Sequence, residues 1–242
     1  MPAKEPTILA TSGGVRPGHR SRVEFNSLLH HAVELSGVSG RAPRLSHLGT
    51  ASGDQRWWAG ELNEAAGVAG FQLSHLNLFT MPSVDDIEAY LLEQDVIWVG
   101  GGSVVNLLAV WRAHGLNDIL HRVWQAGVVL SGVSAGSICW FQGGATDSFG
   151  PHLRGVNDAL GFLPYGNGVH YDSEAERRPL IHQLVAAGEL PETHCTDDGV
   201  GLVYRGTELI EAVSEVAGKG AYRVTRNGNS VLEERLEPRF LG

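Results

Sequence analysis

The sequence predicts an α/β fold with a mostly parallel, twisted sheet, helices on both faces and a β-rich extension at the C-terminal end. Apolar runs alternate with helical patterns over the first 140 residues, which is typical of parallel strands joined by helical crossovers. Glycine-rich segments follow several of these runs, at the strand ends where such sheets carry their sites. The 48 residues after His194 show short strand patterns instead.

The predicted strands are short apolar or β-branched runs bounded by glycine or polar residues. In chain order they are residues 7–11, 44–50, 72–78, 96–99, 128–131, 200–204, 208–213, 221–225 and 230–236. The pair Asn227-Gly228 predicts a hairpin turn between the last two strands.

The predicted helices carry apolar residues three and four positions apart. In chain order they are residues 25–35, 55–66, 84–93, 104–114, 117–126 and 178–187. Gly37 and Gly115 are expected to end the first and fourth helices, and Asn117 to cap the fifth. Residues 143–168 lack a regular pattern and are predicted to form a loop, a feature that in a compact fold often serves function.

Composition and length predict one domain over residues 1–242. Hydrophobic residues make up 43% and charged residues 19% of the chain, which supports a substantial core. The net charge of −9 argues against a nucleic-acid partner, because such a protein needs a basic face. Residues 1–6 lack an apolar signal core and no segment is long enough to span a bilayer. We therefore expect a cytoplasmic protein without membrane contact, with Cys139 and Cys195 as buried thiols.

A candidate nucleophile lies in the segment Gly132-Val133-Ser134-Ala135-Gly136. An apolar run precedes it and a helical pattern follows, so Ser134 is expected at the apex of a sharp strand-to-helix turn. The helix would direct its free N–H groups and its positive dipole end at the same place. Gly-x-Ser-x-Gly is a short motif that also arises by chance, so it needs support from other residues.

Serine requires a histidine base and usually a carboxylate that orients the base. Of the 11 histidines, His170 is favoured because it follows a glycine-rich turn and precedes a polar run, whereas His152 and His194 are weaker candidates. Asp147 is the first choice for the carboxylate. The alternatives are Asp172, Glu174, Asp197 and Asp198.

A tetrahedral oxyanion needs two preorganised donors. The N–H of Ala135 directly follows the nucleophile, and the N–H of Gly101 or Gly102 could approach from the triple glycine after the strand at 96–99. A phosphate cradle is a weaker interpretation of that triple glycine, since neither Gly-x-Gly-x-x-Gly nor a Walker lysine is present.

In combination, several motifs resemble the peptidase E family of serine dipeptidases and the related cyanophycinases. These motifs span most of residues 7–205 and are Ala51-Ser52-Gly53-Asp54, Val96-Ile97-Trp98-Val99-Gly100-Gly101-Gly102, Asn106-Leu107-Leu108, His114-Gly115-Leu116, Gly132-Val133-Ser134-Ala135-Gly136-Ser137, Asp147-Ser148 and His170-Tyr171-Asp172. The resemblance implies a flavodoxin-like fold similar to that of class I glutamine amidotransferases, with serine in place of cysteine at the elbow.

The same resemblance implies hydrolysis of dipeptides with an N-terminal aspartate, without a metal or other cofactor. Carried over by motif, Ser134 is the nucleophile, His170 the base, and the third, acidic residue lies near Asp147. Arg177 resembles a family arginine that could pair with a substrate carboxylate. Ser103 stands where better-known members have asparagine, which leaves the preference for aspartate open if that position holds the substrate.

Three other interpretations remain. One is a peptidase-like hydrolase of the same fold with a different peptide specificity. A second is an α/β-hydrolase esterase, although such enzymes place their histidine late in the chain, and here no histidine follows His194. A third is a non-catalytic module that binds a small molecule. A small peptide is the expected partner, and the sequence leaves monomer and homodimer open.

Overall fold

The computed structural model describes residue 3 and residues 5–242. Of the N-terminal segment that was expected to lack a signal core, residues 1, 2 and 4 lie outside the described residues. The strands are β1 (Thr7–Thr11), β2 (Val15–Pro17), β3 (Val23–Phe25), β4 (Arg44–Leu48), β5 (Gln72–Leu76), β6 (Val96–Val99), β7 (Val129–Val133), β8 (Gly143–Thr146), β9 (Arg154–Val156), β10 (Gly166–Gly168), β11 (Thr193–Thr196), β12 (Val200–Arg205), β13 (Glu208–Ser214), β14 (Ala221–Asn227), β15 (Ser230–Leu236) and β16 (Arg239–Phe240).

Helices connect most of the strands in the first half of the chain. They are α1 (Ser27–Ser36), α2 (Arg56–Ala69), α3 (Ile87–Leu92), α4 (Val104–Ala113), α5 (Leu116–Gln125), α6 (Ala135–Ile138) and α7 (Arg177–Ala187). A 3-10 turn, Thr50–Ser52, precedes α2. In the part of the chain that the structure describes, no helix combines the length and apolar character needed to cross a membrane.

The larger sheet has eight strands in the order β16-β13-β12-β1-β7-β6-β4-β5. Strands β1, β7, β6, β4 and β5 are parallel to one another, whereas β12 pairs antiparallel with both β1 and β13. Successive side chains enter opposite cores: Ile8 packs with α4 and α5, and Leu9 packs with α1 and α2. This alternation buries both faces of the sheet, and the predicted mostly parallel α/β fold is confirmed.

The predicted loop at residues 143–168 is wrong, because β8, β9 and β10 lie within it. They join a second sheet of six strands in the order β15-β14-β11-β10-β8-β9. Strand β10 reads Gly166-Asn167-Gly168 and has no apolar pattern to detect. A Cβ at Gly166 would lie 2.3 Å from Thr193 Oγ1 on β11, so glycine is what permits the strands to approach.

The predicted C-terminal strands exist but divide between the two sheets. Strands β12 and β13 extend the larger sheet, and β14 and β15 form a hairpin in the smaller one. The hairpin turn at Asn227-Gly228 is confirmed, with φ +63° at Gly228. Strands β11 and β16 and the hairpin β2–β3 were not predicted.

Helices α1 to α5 and α7 begin and end within three residues of the predicted bounds. Gly37 ends α1 in the left-handed conformation, as expected. The predicted cap at Asn117 is wrong, because α5 already begins at Leu116 and Gly115, at φ +70°, holds the capping position. Cys139 and Cys195 are both buried and unpaired, which confirms the prediction of two buried thiols.

Two glycines of the serine motif allow the elbow to pack against the sheet. A Cβ at Gly136 would lie 2.2 Å from the carbonyl oxygen of Val99 on β6, and a Cβ at Gly132 would lie 2.1 Å from the carbonyl oxygen of Gly136. Neither residue has a positive φ. Close backbone approach, rather than a special turn conformation, therefore requires glycine at both positions.

We expect Gly136→Ala to lower the free energy of unfolding by about 1–3 kcal/mol, because the new methyl group must displace backbone of β6. The matched control is Gly60→Ala, in α2, where an added Cβ meets nothing within 4 Å. That change should raise stability by about 0.5–1 kcal/mol through helix propensity. Urea denaturation measures both. Equal stability of Gly136→Ala and wild type would contradict this account of the elbow.

Candidate active site

Ser134 lies at the junction between β7 and α6 with φ +57° and ψ −116°. A non-glycine residue rarely adopts this region, so the backbone is strained at this position. The Ser134 N–H donates to the carbonyl oxygen of Thr11 at 3.2 Å, which ties the elbow to the carboxyl end of β1. The predicted strand–turn–helix geometry around Ser134 is present.

His170 lies two residues after the end of β10. Like Ser134, it has a positive φ, +53°. Its backbone N–H donates to Ser12 Oγ at 3.1 Å. Ser12 Oγ lies 2.7 Å from Thr196 Oγ1 at the end of β11. The amides of Ser134 and His170 are therefore held by Thr11 and Ser12, two consecutive residues at the end of one strand.

The side chains of Ser134 and His170 are not hydrogen-bonded to each other. Among the described residues, Ser134 Oγ takes part in no hydrogen bond. His170 directs Nδ1 to Asp198 Oδ1 at 2.5 Å. In serine hydrolases the contact between nucleophile and base commonly tightens only when substrate binds. The structure brings the two residues to one edge of the sheet without joining their side chains.

The carboxylate next to the histidine is Asp198, which was one of the four alternatives, and not Asp147. Asp147 lies on the turn after β8, where its carbonyl accepts the Gly150 N–H. The Asp147 carboxylate lies close enough to Arg177 to affect its pKa. Burial lowers the pKa of the guanidinium, and the negative charges of Glu174 and Asp147 oppose this shift. Within the described residues, the Asp147 carboxylate forms no hydrogen bond with His170, whose Nδ1 is bound by Asp198.

The other candidate carboxylates have partners of their own. Asp172 accepts the Asp198 N–H and pairs with Lys219. Glu174 pairs with Arg177 at 2.5 Å. Asp197 accepts the Gly220 N–H at 2.8 Å.

The two weaker histidine candidates are engaged elsewhere. The His152 side chain is 85% exposed, with Nδ1 3.7 Å from a Glu176 carboxylate oxygen. His194 is buried between Tyr204 and Glu192, to which its ring nitrogens lie at 2.7 and 2.9 Å. Burial lowers the pKa of His194.

The three expected oxyanion donors differ in their closeness to Ser134. Gly101 lies against the nucleophile, since a Cβ at Gly101 would be 3.3 Å from the Ser134 Cβ. Gly102 has φ +135° and faces the 3-10 turn, where a Cβ would be 2.4 Å from the Ala51 carbonyl oxygen. Within the described residues, the N–H groups of Gly101, Gly102 and Ala135 donate to no protein acceptor. Gly101 and Ala135 are thus the two of these residues whose backbone lies next to Ser134.

The two residues expected to bind substrate have structural partners instead. Ser103 is the N-cap of α4, and its Oγ accepts the Asn106 N–H at 3.2 Å. The Arg177 side chain is only 3% exposed, and its guanidinium donates to the Ala145 carbonyl and to Glu174. That Arg177 pairs with a substrate carboxylate stays a prediction, and in this structure α7 packs the guanidinium against the second sheet.

The family model of peptidase family S51 matches residues 8–212. The chain belongs to peptidase family S51. A curated relative, the uncharacterized peptidase YgaJ of Bacillus subtilis strain 168, is 42% identical over 200 residues, which cover 83% of this chain and 86% of that protein. The resemblance to the peptidase E family is confirmed.

Two solved structures share the fold of this S51 member. A peptidase from an acI-B1 actinobacterium has a TM-score of 0.70 at 16% identity, covering 97% of this chain and 95% of that one. A Listeria monocytogenes EGD-e protein assigned to peptidase E has a TM-score of 0.62 at 18% identity, covering 86% and 98%. At these identities the likeness concerns the fold alone.

A pair of histidines, the buried His47 and the half-buried His75, lies next to the glycine loop of this S51 protein. His75 Nε2 lies 3.0 Å from Asn63 Oδ1, so it carries the proton and leaves His75 Nδ1 to accept. His47 Nδ1 then donates to His75 Nδ1 at 3.2 Å. His47 Nε2 remains a bare acceptor, buried and unpartnered among the described residues, 3.1 Å from where a Cβ of Gly100 would lie. Burial, with a smaller effect of His75, lowers the pKa of His47 to about 3.

Sequence reasoning did not identify Ser12, His47 or Lys219 as parts of this region. His47 was recognised only as part of the predicted strand at residues 44–50. A histidine in the middle of a strand buried on both faces is itself a signal, since its ring must find a partner or remain neutral. Within residue 3 and residues 5–242, no group of three or more histidine, cysteine or acidic side chains is arranged to hold a metal ion.

The lowered pKa of His47 makes folding depend on pH. Below pH 6.5 the unfolded chain protonates this residue, whereas the folded chain keeps it neutral down to about pH 3. The free energy of unfolding should therefore fall by about 1.4 kcal/mol for each pH unit between these limits. His47→Gln should remove the His47 share of this slope and leave the share of His30, His75 and His194, whose pKa values burial also lowers. His152→Gln, an exposed control, should retain the full slope. Urea denaturation at pH 7, 6 and 5 measures the slope, and equal slopes in both variants would overturn the assignment.

Proposed function

We propose that this protein is a serine-type dipeptidase in which Ser134, His170 and Asp198 form the catalytic triad. The observation that carries the proposal is the His170–Asp198 contact of 2.5 Å, on a loop anchored beside the Ser134 elbow through Ser12 and Thr11. An imidazole held at Nδ1 by a carboxylate has Nε2 available to accept a proton, as a serine nucleophile requires. The strained, glycine-flanked elbow supports the role of Ser134.

In the first step Ser134 Oγ attacks the carbonyl carbon of the scissile peptide bond, while His170 Nε2 takes the hydroxyl proton. The carbonyl oxygen becomes an oxyanion, which accepts hydrogen bonds from the N–H groups of Ala135 and Gly101. His170 then gives its proton to the leaving amine, and the C–N bond breaks to leave an acyl-enzyme on Ser134. Water activated by the same imidazole releases the acid and restores the serine.

The proposed substrates are dipeptides with an N-terminal aspartate. This preference rests on the resemblance of the site motifs to the peptidase E family, and the S51 family model supports peptide hydrolysis in general. Neither Ser103, which caps α4, nor Arg177, which is buried, is placed to select aspartate. A peptidase of this fold with another specificity is therefore the alternative that a substrate panel must test.

We also propose a cytoplasmic location. Two unpaired, buried thiols, Cys139 and Cys195, support a reducing compartment. Fractionation of the cells that produce the protein, with antibody detection, tests this, and recovery in a secreted fraction would contradict it.

The nucleophile assignment is tested by Ser134→Ala. We expect hydrolysis of aspartyl dipeptides to fall by about 10⁴-fold or more, since no other group can form the acyl-enzyme. A fluorophosphonate probe should label wild type and not the variant, and thermal denaturation should show that the variant is folded. Retained turnover in Ser134→Ala would refute the proposal, and an unlabelled, inactive wild type would favour a non-catalytic binding protein.

The choice between the two carboxylates is tested by a matched pair of variants. Asp198→Asn should lower kcat by about 10³–10⁴-fold, because the amide no longer holds the imidazole with Nε2 free or stabilises its charged form. Asp147→Asn should retain activity, since that carboxylate faces Arg177. Steady-state kinetics on one dipeptide measures both. The reverse pattern would return the third position to Asp147.

Specificity is tested with a panel of dipeptides that share one C-terminal residue and differ at the N-terminal one. The expected result is a higher kcat/KM for N-terminal aspartate than for asparagine, alanine or leucine. Comparable values for aspartate and asparagine would show that this protein does not recognise the carboxylate, without affecting the serine mechanism.

A further inference from the structure

Asp198, the proposed triad carboxylate, lies on an exposed turn whose backbone is held by a side chain from another loop. Asp198 follows β11, and its side chain is 44% exposed. Its backbone N–H donates to Asp172 Oδ1 at 2.9 Å. Asp172 lies two residues after His170, and the Tyr171 N–H between them donates to the Thr196 carbonyl. Asp172 therefore joins the loop that carries the histidine to the turn that carries its carboxylate.

The second carboxylate oxygen of Asp172 forms an ion pair with a lysine. Asp172 Oδ2 pairs with the ammonium of Lys219, on the turn between β13 and β14. Asp198 and Asp197 are close enough to this ammonium to help raise the pKa of Lys219, after the larger effect of Asp172. In the described part of the chain, Lys219 forms its ion pair with Asp172 alone. A lysine thus lies within electrostatic reach of the triad carboxylate but is bound by a different one.

We propose that Asp172 is a positioning residue that fixes the Asp198 backbone and keeps Lys219 away from the Asp198 carboxylate. The inference rests on the proposed triad. Without the charge of Asp172, the ammonium would be released toward the two remaining carboxylates near it, Asp197 and Asp198. Asp197 already accepts the Gly220 N–H, and pairing of the ammonium with Asp198 would compete with the imidazole for that carboxylate. Such competition would turn the carboxylate away from His170 Nδ1 and reduce its stabilisation of the imidazolium. The other charged residues on the two loops and the turn that meet here are Asp172, Asp197 and Lys219, and Glu174, whose carboxylate pairs with Arg177.

Two single variants and their combination separate this role from simple structural support. Asp172→Asn keeps an oxygen that can accept the Asp198 N–H but removes the charge that holds Lys219. We expect kcat to fall about tenfold, an ordinary coupling for residues in one network, with KM little changed. Lys219→Met alone should leave kcat close to wild type. Adding Lys219→Met to Asp172→Asn should restore most of the lost kcat, because the competing ammonium is gone.

Asp172→Ala gives the matched comparison. It removes both the charge and the acceptor for the Asp198 N–H, so Lys219→Met should rescue it much less than it rescues Asp172→Asn. Thermal denaturation of every variant separates these effects from unfolding. The downfield proton resonance of His170 Nδ1–H should weaken in Asp172→Asn and return in the double variant, a signal that does not depend on the substrate.

The failures of the two proposals are distinguishable. Wild type that neither reacts with the fluorophosphonate probe nor cleaves dipeptides would refute the proposed function. An active, Ser134-dependent wild type with unchanged kcat in Asp172→Asn, or with no recovery on adding Lys219→Met, would refute the role of Asp172 and leave the triad standing.

Discussion

The end of strand β1 is the fixed point of the site. Thr11 accepts the amide of Ser134 and Ser12 accepts the amide of His170, so one strand end determines where two distant segments of chain meet. Thr11 itself is held in the sheet, since its Oγ1 donates to the Gly132 carbonyl at 2.9 Å. Neighbouring residues of a strand are about 3.8 Å apart, which leaves little freedom in the relative placement of the two loops.

The second sheet delivers the histidine and its carboxylate together. Strands β10 and β11 are parallel neighbours, so the segments after them, with His170 and Asp198, leave the sheet on the same side. Strand β11 also places Thr196 beside Ser12, which docks this sheet on β1. The elbow with Ser134 belongs to the larger sheet, and the proposed base His170 belongs to the smaller one. The two residues are brought together where the sheets meet, at the carboxyl end of β1.

The sequence predicted those parts that local pattern encodes. Short apolar runs located β1, β6 and β7, and the Gly-x-Ser-x-Gly spacing located the elbow with Ser134. Asp198 could not be selected from the sequence, because its pairing with His170 depends on β11, a strand of four residues without an apolar alternation. The burial of Arg177 was not predicted for a related reason: it comes from packing against a sheet whose strands β8 and β10 are largely glycine. Ser103 shows a further limit of motifs: a serine at this position can cap a helix or bind a substrate, and the motif alone does not distinguish the two roles.

Non-glycine residues with positive φ in the described chain are Asp54, Ser134 and His170, and all three lie on loops at the carboxyl edge of parallel strands. Each such conformation raises the energy of the folded chain by about 1–3 kcal/mol. Backbone strain is thus concentrated on the loops that carry Ser134 and His170, the proposed nucleophile and base. Substitutions meant to raise the stability of this protein should therefore avoid the three strained loops. Exposed helix positions such as Gly60 and Gly67 are better choices, because their backbone is helical and an added Cβ would meet no other atom within 4 Å.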